Sequence, residues 1–432
     1  AFRPAMSALC SPRKRYDEEE PNTPAWAAHR KHFFILSSAG KPIFSRFGDE
    51  SKLSPVAGVL QALVSFVDDS GDTIRHVRVG AHRVVFLMRG PLYLVAVSTC
   101  GDTVEYLWQQ LHYLHAQIIS ILTSKVEQIF ARNASFDLRG LLGGTDRVIR
   151  SLIRYANAEP SLLFNAVPSL RLPPPVRAEL GKVLAARPAD LLFAVMMARS
   201  HLVHLYKAKK SVLHPQDVLL VMNTVASSSS FREDESWLPI CLPCFNDKGF
   251  VYAHVSFVAE ELCLVLITPK ADAFSPLSAF RQQVMQRLEA MPELLGTLRS
   301  SISEPQYRVD EFGVPEVRHF IYKLNAVEQL SAPRLGPDAG PQCPYRTRDM
   351  AKGLFRVYQH AHALIHGTSK PLRELLVSTA TETVIARNSG DAELYVVFSP
   401  LVSKPVAIAA CQKLHRSLKK EHASLFLLST AK

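Results

Sequence analysis

The sequence predicts an α+β protein made of three copies of one unit, each a five-stranded antiparallel sheet with flanking helices. Three observations predict it. The order two strands, helix, three strands, helix runs along the chain three times. Joints at Leu172-Pro173-Pro174-Pro175 and from Pro305 to Pro315 separate the copies. The 432 residues are 47% hydrophobic and 21% charged, a composition that buries several cores. At roughly 150 residues per domain, about three domains are expected.

Residues 1–30 are expected to be a disordered tail. Arg13, Lys14 and Arg15 precede Asp17, Glu18, Glu19 and Glu20, and such charge blocks cannot offset ordering entropy. The first domain is set at 31–155. Residues 33–37 and 42–46 flank the turn Ala39-Gly40-Lys41 as a hairpin. Ser54 and Pro55 start a helix, as a capping hydroxyl and a first-turn proline. Val56, Val59, Leu60, Leu63, Val64 and Val67 recur at helical spacing and are assigned to the sheet side. That assignment turns Ala57, Gln61 and Ser65 outward, a small-residue face that another protein can approach closely. Strands follow at 73–79, 83–88 and 92–98. Asp102 is expected to cap a long helix with the stripe Val104, Leu107, Trp108, Leu111, Ile118, Ile119 and Leu122.

A helical connector is expected at 156–187 and the second domain at 188–304. Its strands are placed at 191–197, 202–206, 237–242, 250–257 and 262–267. Its helices lie at 215–226, opened by His214-Pro215, and at 276–289. The third domain is set at 305–432, with strands at 320–323 and near Val327, then at 372–378, 383–388 and 394–398. Its helices lie at 349–366 and 402–420, and a Pro- and Gly-rich loop is inserted at 331–344. Longin, roadblock and profilin-like domains share this order of elements.

Several function classes lose support. There is no run of about 18 apolar residues to span a bilayer. Residues 1–9 lack the apolar core of a signal peptide, and a start at Ala1 suggests a fragment. Seven scattered cysteines suggest reduced thiols and a cytosolic address. Phosphate-binding glycine loops and the G-x-S-x-G elbow are missing, and no cofactor is expected. Cys241 and Cys244 form a lone C-x-x-C without a second pair and are expected to be buried strand thiols, the alternative being a metal or redox role. His360, His362 and His366 share a helix, but Ala363 stands where a zincin has glutamate, so they are taken as structural or surface histidines. Asn133-Ala134-Ser135 fits a glycosylation pattern that a cytosolic chain would not use. Fifty Lys and Arg against 39 Asp and Glu give a net charge of +11, which suits an acidic partner surface. Lys207, Lys209 and Lys210 form one basic cluster, and Arg416, Lys419 and Lys420 another. Each is either a solvated face or a contact to anionic membrane. No basic stripe interleaved with aromatics occurs on the expected strands, so nucleic acid is not an expected partner.

Specific segments carry a resemblance. Lys31-His32-Phe33-Phe34-Ile35-Leu36-Ser37-Ser38-Ala39-Gly40-Lys41-Pro42-Ile43-Phe44-Ser45-Arg46-Phe47-Gly48 resembles the opening signature of the SAND family, the monensin-sensitivity (Mon-one) vacuolar fusion proteins. Leu63-Val64-Ser65-Phe66 and Phe136-Asp137-Leu138-Arg139 resemble its next segments, with Phe136 in place of a tyrosine. Ser227 to Ser230, then Phe231-Arg232-Glu233, Trp237, Pro239, Cys241-Leu242-Pro243, Phe245-Asn246 and Gly249-Phe250 resemble its middle signature. Gly313-Val314-Pro315, Arg318-His319-Phe320, Tyr322-Lys323, Glu393-Leu394-Tyr395 and Ser399-Pro400-Leu401 resemble its last third. The matches span about 31–426; the first 30 residues and the loop at 331–344 match nothing in the pattern.

The resemblance implies three longin domains. It also implies a heterodimer with a protein of the calcium-caffeine-zinc sensitivity family and guanine-nucleotide exchange on the late-endosomal (Rab-seven type) GTPase. Recruitment by an early-endosomal Rab and phosphoinositide membrane would place a cytosolic chain on late endosome and vacuole or lysosome membranes. Under it, Ala57, Gln61 and Ser65 become candidate Rab contacts. Trp237 becomes a candidate recruitment residue, because it opens a strand after a polar loop and Trp is enriched at interface hot spots; the alternative is that it plugs the end of the sheet core. The two basic clusters become candidate membrane contacts. The competing reading is a longin-domain tether or coat-adaptor subunit without exchange activity.

Overall fold

A computed structural model of the chain describes residues 19–21, 23–126, 129, 142, 145–303, 309–335, 343–367 and 370–428. The tail up to residue 18, the Asn133-Ala134-Ser135 pattern, Phe136-Asp137-Leu138-Arg139 and residues 336–342 of the inserted loop lie outside the described residues. The chain divides into two compact units, through Asn157 and from Ala158.

The first unit holds α1 (Pro24–Ala27), β1 (Lys31–Ser37), β2 (Pro42–Ser45) and α2 (Ser54–Asp68). β3 (His76–Val79), β4 (His82–Arg89), β5 (Leu92–Ser98), α3 (Val104–Leu122) and α4 (Asp146–Ala156) follow. The sheet order is β2-β1-β5-β4-β3, antiparallel throughout, with Phe34 and Phe86 both opposite Val95. The β1–β2 turn closes through Gly40 at φ +75°, a conformation open to glycine at little cost. Strand alternation sends Phe34 and Leu36 to one face, where Leu53, Ala57, Leu60 and Val64 cover them. Phe33 and Ile35 point to the other face, and α3 packs on β4 and β5.

Three local expectations change here. Residues 23–30 of the expected tail are ordered, forming α1 and leading into β1, with Trp26 against the sheet. Trp26 packs on the first core and its Nε1–H donates to the Phe47 carbonyl at 3.2 Å. An indole can be buried where the flanking charges cannot, and Glu19 pairs with His29 at 2.7 Å. Ser54 does not cap α2: Leu53 holds the cap position, without a side-chain hydrogen bond. Asp102 does not cap α3 either. Thr103 Oγ1 accepts the Tyr106 N–H, and the buried Asp102 carboxylate pairs with Lys31 Nζ at 3.1 Å.

The second unit begins with α5 (Ser161–Phe164), the two-residue β6 (Val167–Pro168) and α6 (Pro174–Val183). β7 (Phe193–Ala198), β8 (His201–Lys207), α7 (Pro215–Ala226), β9 (Ser236–Leu242), α8 (Pro243–Asn246), β10 (Asp247–Ala259) and β11 (Leu262–Thr268) follow, then α9 (Phe274–Glu289) and α10 (Pro292–Ser303). This antiparallel sheet runs β8-β7-β11-β10-β9. His214 caps α7 as expected, its Nδ1 accepting the Gln216 N–H at 3.2 Å. Helix α10 was not anticipated from the sequence.

The last part of this unit contains β12 (Val317–Leu324), β13 (Gln329–Ser331), α11 (Arg348–Ile365), β14 (Glu374–Ser378), β15 (Thr383–Asn388) and β16 (Ala392–Phe398), closed by α12 (Lys404–Lys420) and α13 (His422–Leu425). Its sheet runs β14-β15-β16-β12-β13-β6 and has six strands, not five. The sixth comes from the connector and pairs with β13 in parallel. Leu414 and Leu418 of α12 close a core with Phe320, Leu394 and Phe398. Tyr358 of α11 meets His319 and Tyr395 on the opposite face. The fold is α+β, with three mostly antiparallel sheets and flanking helices.

Candidate functional site

Helix α2 carries two apolar stripes. Leu53, Ala57, Leu60 and Val64 are buried, whereas Val59 is 63% exposed, Leu63 39% and Phe66 79%. The expected phase is therefore corrected. Val59 and Leu63 leave the sheet side, and Ala57, expected outside, is 1% exposed within the first core. Both sets obey the helical repeat, so periodicity cannot choose between them; the small Ala57 side chain lets the helix settle close to the sheet. Gln61 is half-buried over the β1–β2 turn, its Cβ and Cγ 3.4 Å from where a side chain at Gly40 would begin. Of the three candidate Rab contacts only Ser65 is freely exposed. Phe66, absent from the expected stripe, was the available signal of a second apolar face. The first sheet also ends in β3, a short strand with mostly exposed side chains and, among the described residues, one edge without a strand partner.

Trp237 sits at the start of edge strand β9. It is half-buried, stacked on Tyr252 with ring centroids 5.7 Å apart and edge-on to Phe274 at 6.0 Å. One side of the indole packs on the second core. Beside it in the ladder, His254 is fully buried and bonded to Glu235 at 2.8 Å. Burial holds the His254 pKa down against the opposing pull of Glu235.

Lys207 is half-buried at the end of β8; Lys209 and Lys210 are exposed in the turn after it. Arg416, Lys419 and Lys420 are exposed on α12. Cys241 is buried in β9 and burial pushes its thiol up to about 12. Cys244 departs from expectation: Pro243 turns the chain into α8 and leaves Cys244 exposed. His362 and His366 on α11 meet a carboxylate after all, supplied by Glu393 of β16 and not by their own helix. The spacing within one helix could not reveal it.

Comparison with known proteins adds three domain matches. Models described as the first, second and third longin domains of FUZ, MON1 and HPS1 match residues 31–152, 189–286 and 316–422. The chain is 38% identical over 416 residues to human vacuolar fusion protein MON1 homolog A, covering 95% of this chain and 63% of that protein. It thus spans less than two thirds of that relative's length. It is 38% identical over 423 residues to Protein SAND of Takifugu rubripes, covering 97% of this chain and 80% of that one. With the Arabidopsis thaliana MON1 homolog the identity is 36% over 448 residues, covering 96% and 72%.

Proposed function

This chain belongs to the MON1/SAND family of vacuolar fusion proteins, and from that premise we propose that it acts in endosome-to-vacuole (lysosome) fusion as one subunit of a guanine-nucleotide exchange factor. Its GTPase is a late-endosomal Rab of the Rab-seven type, and its partner is a protein of the calcium-caffeine-zinc sensitivity family. The observation that carries this reading is the second apolar face of α2, with Val59, Leu63 and Phe66 exposed together. Such a face on a soluble sheet–helix layer fits a permanent protein contact.

Exchange requires a surface and no acid, base or metal of its own. A Rab holds nucleotide through phosphate and magnesium contacts ordered with its switch loops. A factor that binds the opened form more tightly than the loaded form weakens nucleotide affinity by the same ratio. We assign the α2 face to the partner–GTPase assembly, Trp237 to recruitment by an early-endosomal Rab, and the basic residues at 207–210 and on α12 to anionic phosphoinositide membrane.

Release of labelled GDP from the Rab tests this reading. The chain alone is expected to leave release near the intrinsic rate, and the reconstituted pair to accelerate it. A stable pair with no acceleration would instead establish the tether or adaptor reading. Trp237→Ala is expected to lose Rab-dependent binding to decorated liposomes; normal binding would remove Trp237 from the recruitment surface.

A further inference from the structure

His362 in the last turn of α11 and His366, its C-cap, are four residues apart and so lie on one side of the helix end. Glu393, the second residue of β16, is buried, and its Oε2 lies 2.8 Å from His366 Nε2. One nitrogen from each ring and one carboxylate oxygen lie within 4.8 Å of one another. Among the described residues this is the one such group of His, Cys, Asp and Glu. We propose that His362, His366 and Glu393 bind a divalent transition cation of the zinc class, with a fourth position open toward solvent.

The donor set selects the ion. Two imidazoles and one carboxylate suit Zn²⁺, whereas Mg²⁺ and Ca²⁺ take oxygen shells. Bonds of about 2.0–2.2 Å set tetrahedral ligands about 3.3 Å apart; His366 Nε2 and Glu393 Oε2 are already closer than that, and the other separations, none above 4.8 Å, must close by at most about 1.5 Å. His366 has room to adjust: it follows the last residue of α11 and its side chain is 37% exposed. Glu393 and His362 are oriented by their neighbours. The Tyr395 hydroxyl donates to Glu393 Oε2 at 3.1 Å, and Lys323 Nζ lies 3.1 Å from Oε1. The His362 ring rests edge-on against Phe164, with centroids 5.1 Å apart. Such outer contacts orient metal ligands. Binding replaces the His366–Glu393 hydrogen bond with two bonds to the ion. The Lys323 charge opposes the cation, so the site binds less tightly than a closed structural zinc site.

The whole chain is titrated with Zn²⁺ against a chromophoric chelator, with Mg²⁺ in excess, and with Co²⁺ for the visible bands of tetrahedral coordination. The expected result is one Zn²⁺ per chain, with affinity reduced at least about tenfold in His366→Ala. His360→Ala, exposed on the same helix outside the cluster, should bind like the wild type. Zn²⁺ should raise the melting temperature of the wild type and of His360→Ala but not of His366→Ala. His366→Gln, which retains a hydrogen-bonding group toward Glu393, gives the same reading if the alanine variant frays the helix end. Wild-type affinity in both His366 variants, an equal loss in His360→Ala, or no binding by the wild type would overturn the site.

Discussion

Ala57 brings α2 down onto the first sheet, where it packs with Phe34 and Leu36. Lengthening its side chain forces the helix away, so Ala57→Leu is expected to cost about 1–3 kcal/mol of stability. Phe66 is 79% exposed among the described residues. Phe66→Ser should change stability by no more than about 0.5 kcal/mol while weakening assembly with the proposed partner or GTPase. Denaturant melts and complex formation on both variants check the pair. A core-sized loss from Phe66→Ser would mean that this ring is covered by its own chain. His319 is a second telling residue. It is buried between the Tyr358 hydroxyl, 2.7 Å from Nδ1, and the Pro333 carbonyl, 2.9 Å from Nε2, which the neutral Nε2–H tautomer satisfies at both ends. Burial holds its pKa down to about 4, outweighing the opposite pull of the Pro333 carbonyl. The unfolded ring titrates near 6.5 and so takes up its proton first as the pH falls. This contribution is intact above about pH 6.5 and drains away toward pH 4, removing about 2 kcal/mol between about pH 7 and pH 5. His319→Gln should flatten the stability slope in that window, whatever it does to absolute stability. A slope equal to the wild type's would assign the acid sensitivity to other groups.

At the scale of elements, α8 depends on a residue of α7. The four-residue helix has no side-chain cap of its own, and both oxygens of the buried Asp217 accept backbone N–H groups, from Cys244 at 3.1 Å and Phe245 at 3.0 Å. Asp217→Ala orphans both donors, at about 1–3 kcal/mol for each that water cannot reach. Asp217→Asn keeps one acceptor oxygen and should cost less. Equal losses in the two variants would place the weight on the charge and not on the acceptors. Elements such as β1 and β15 were legible in the sequence because a short apolar run between turn residues has few other readings. The phase of α2 was not, because apolar residues lie on both of its sides. Nor was β6, two residues whose only register is set by a strand far along the chain. Glu393 joined His362 and His366 only through tertiary packing, and the Trp237 position was legible as a loop–strand junction while its stacking on Tyr252 was not.

At the scale of the second unit, the segment around β6 binds two sheets at once. Val167 pairs with Gln329 of the third sheet, and Ser169 bridges to Leu202 of the second. The Leu172 N–H donates to the Ser424 carbonyl at 2.9 Å. Arg177, 7% exposed, ties these pieces together: its guanidinium donates to the carbonyls of Leu170 at 2.6 Å, Ser424 at 3.1 Å and Val203 at 3.3 Å. Separating either sheet from the segment would leave buried carbonyls without donors, so the two sheets should open as one cooperative body. Trp237 and the basic residues of α12, assigned above to recruitment and membrane contact, belong to this same unit. Arg177→Met keeps the length and apolar stem but removes every donor, and is expected to cost about 3 kcal/mol. Native-state hydrogen exchange reads the outcome strand by strand. The loss should speed exchange in β8 and in β12 by about the same factor, on the order of a hundredfold at 1.4 kcal/mol per tenfold. Faster exchange in β8 with β12 unchanged would show that the two sheets open separately and that the segment is a linker after all.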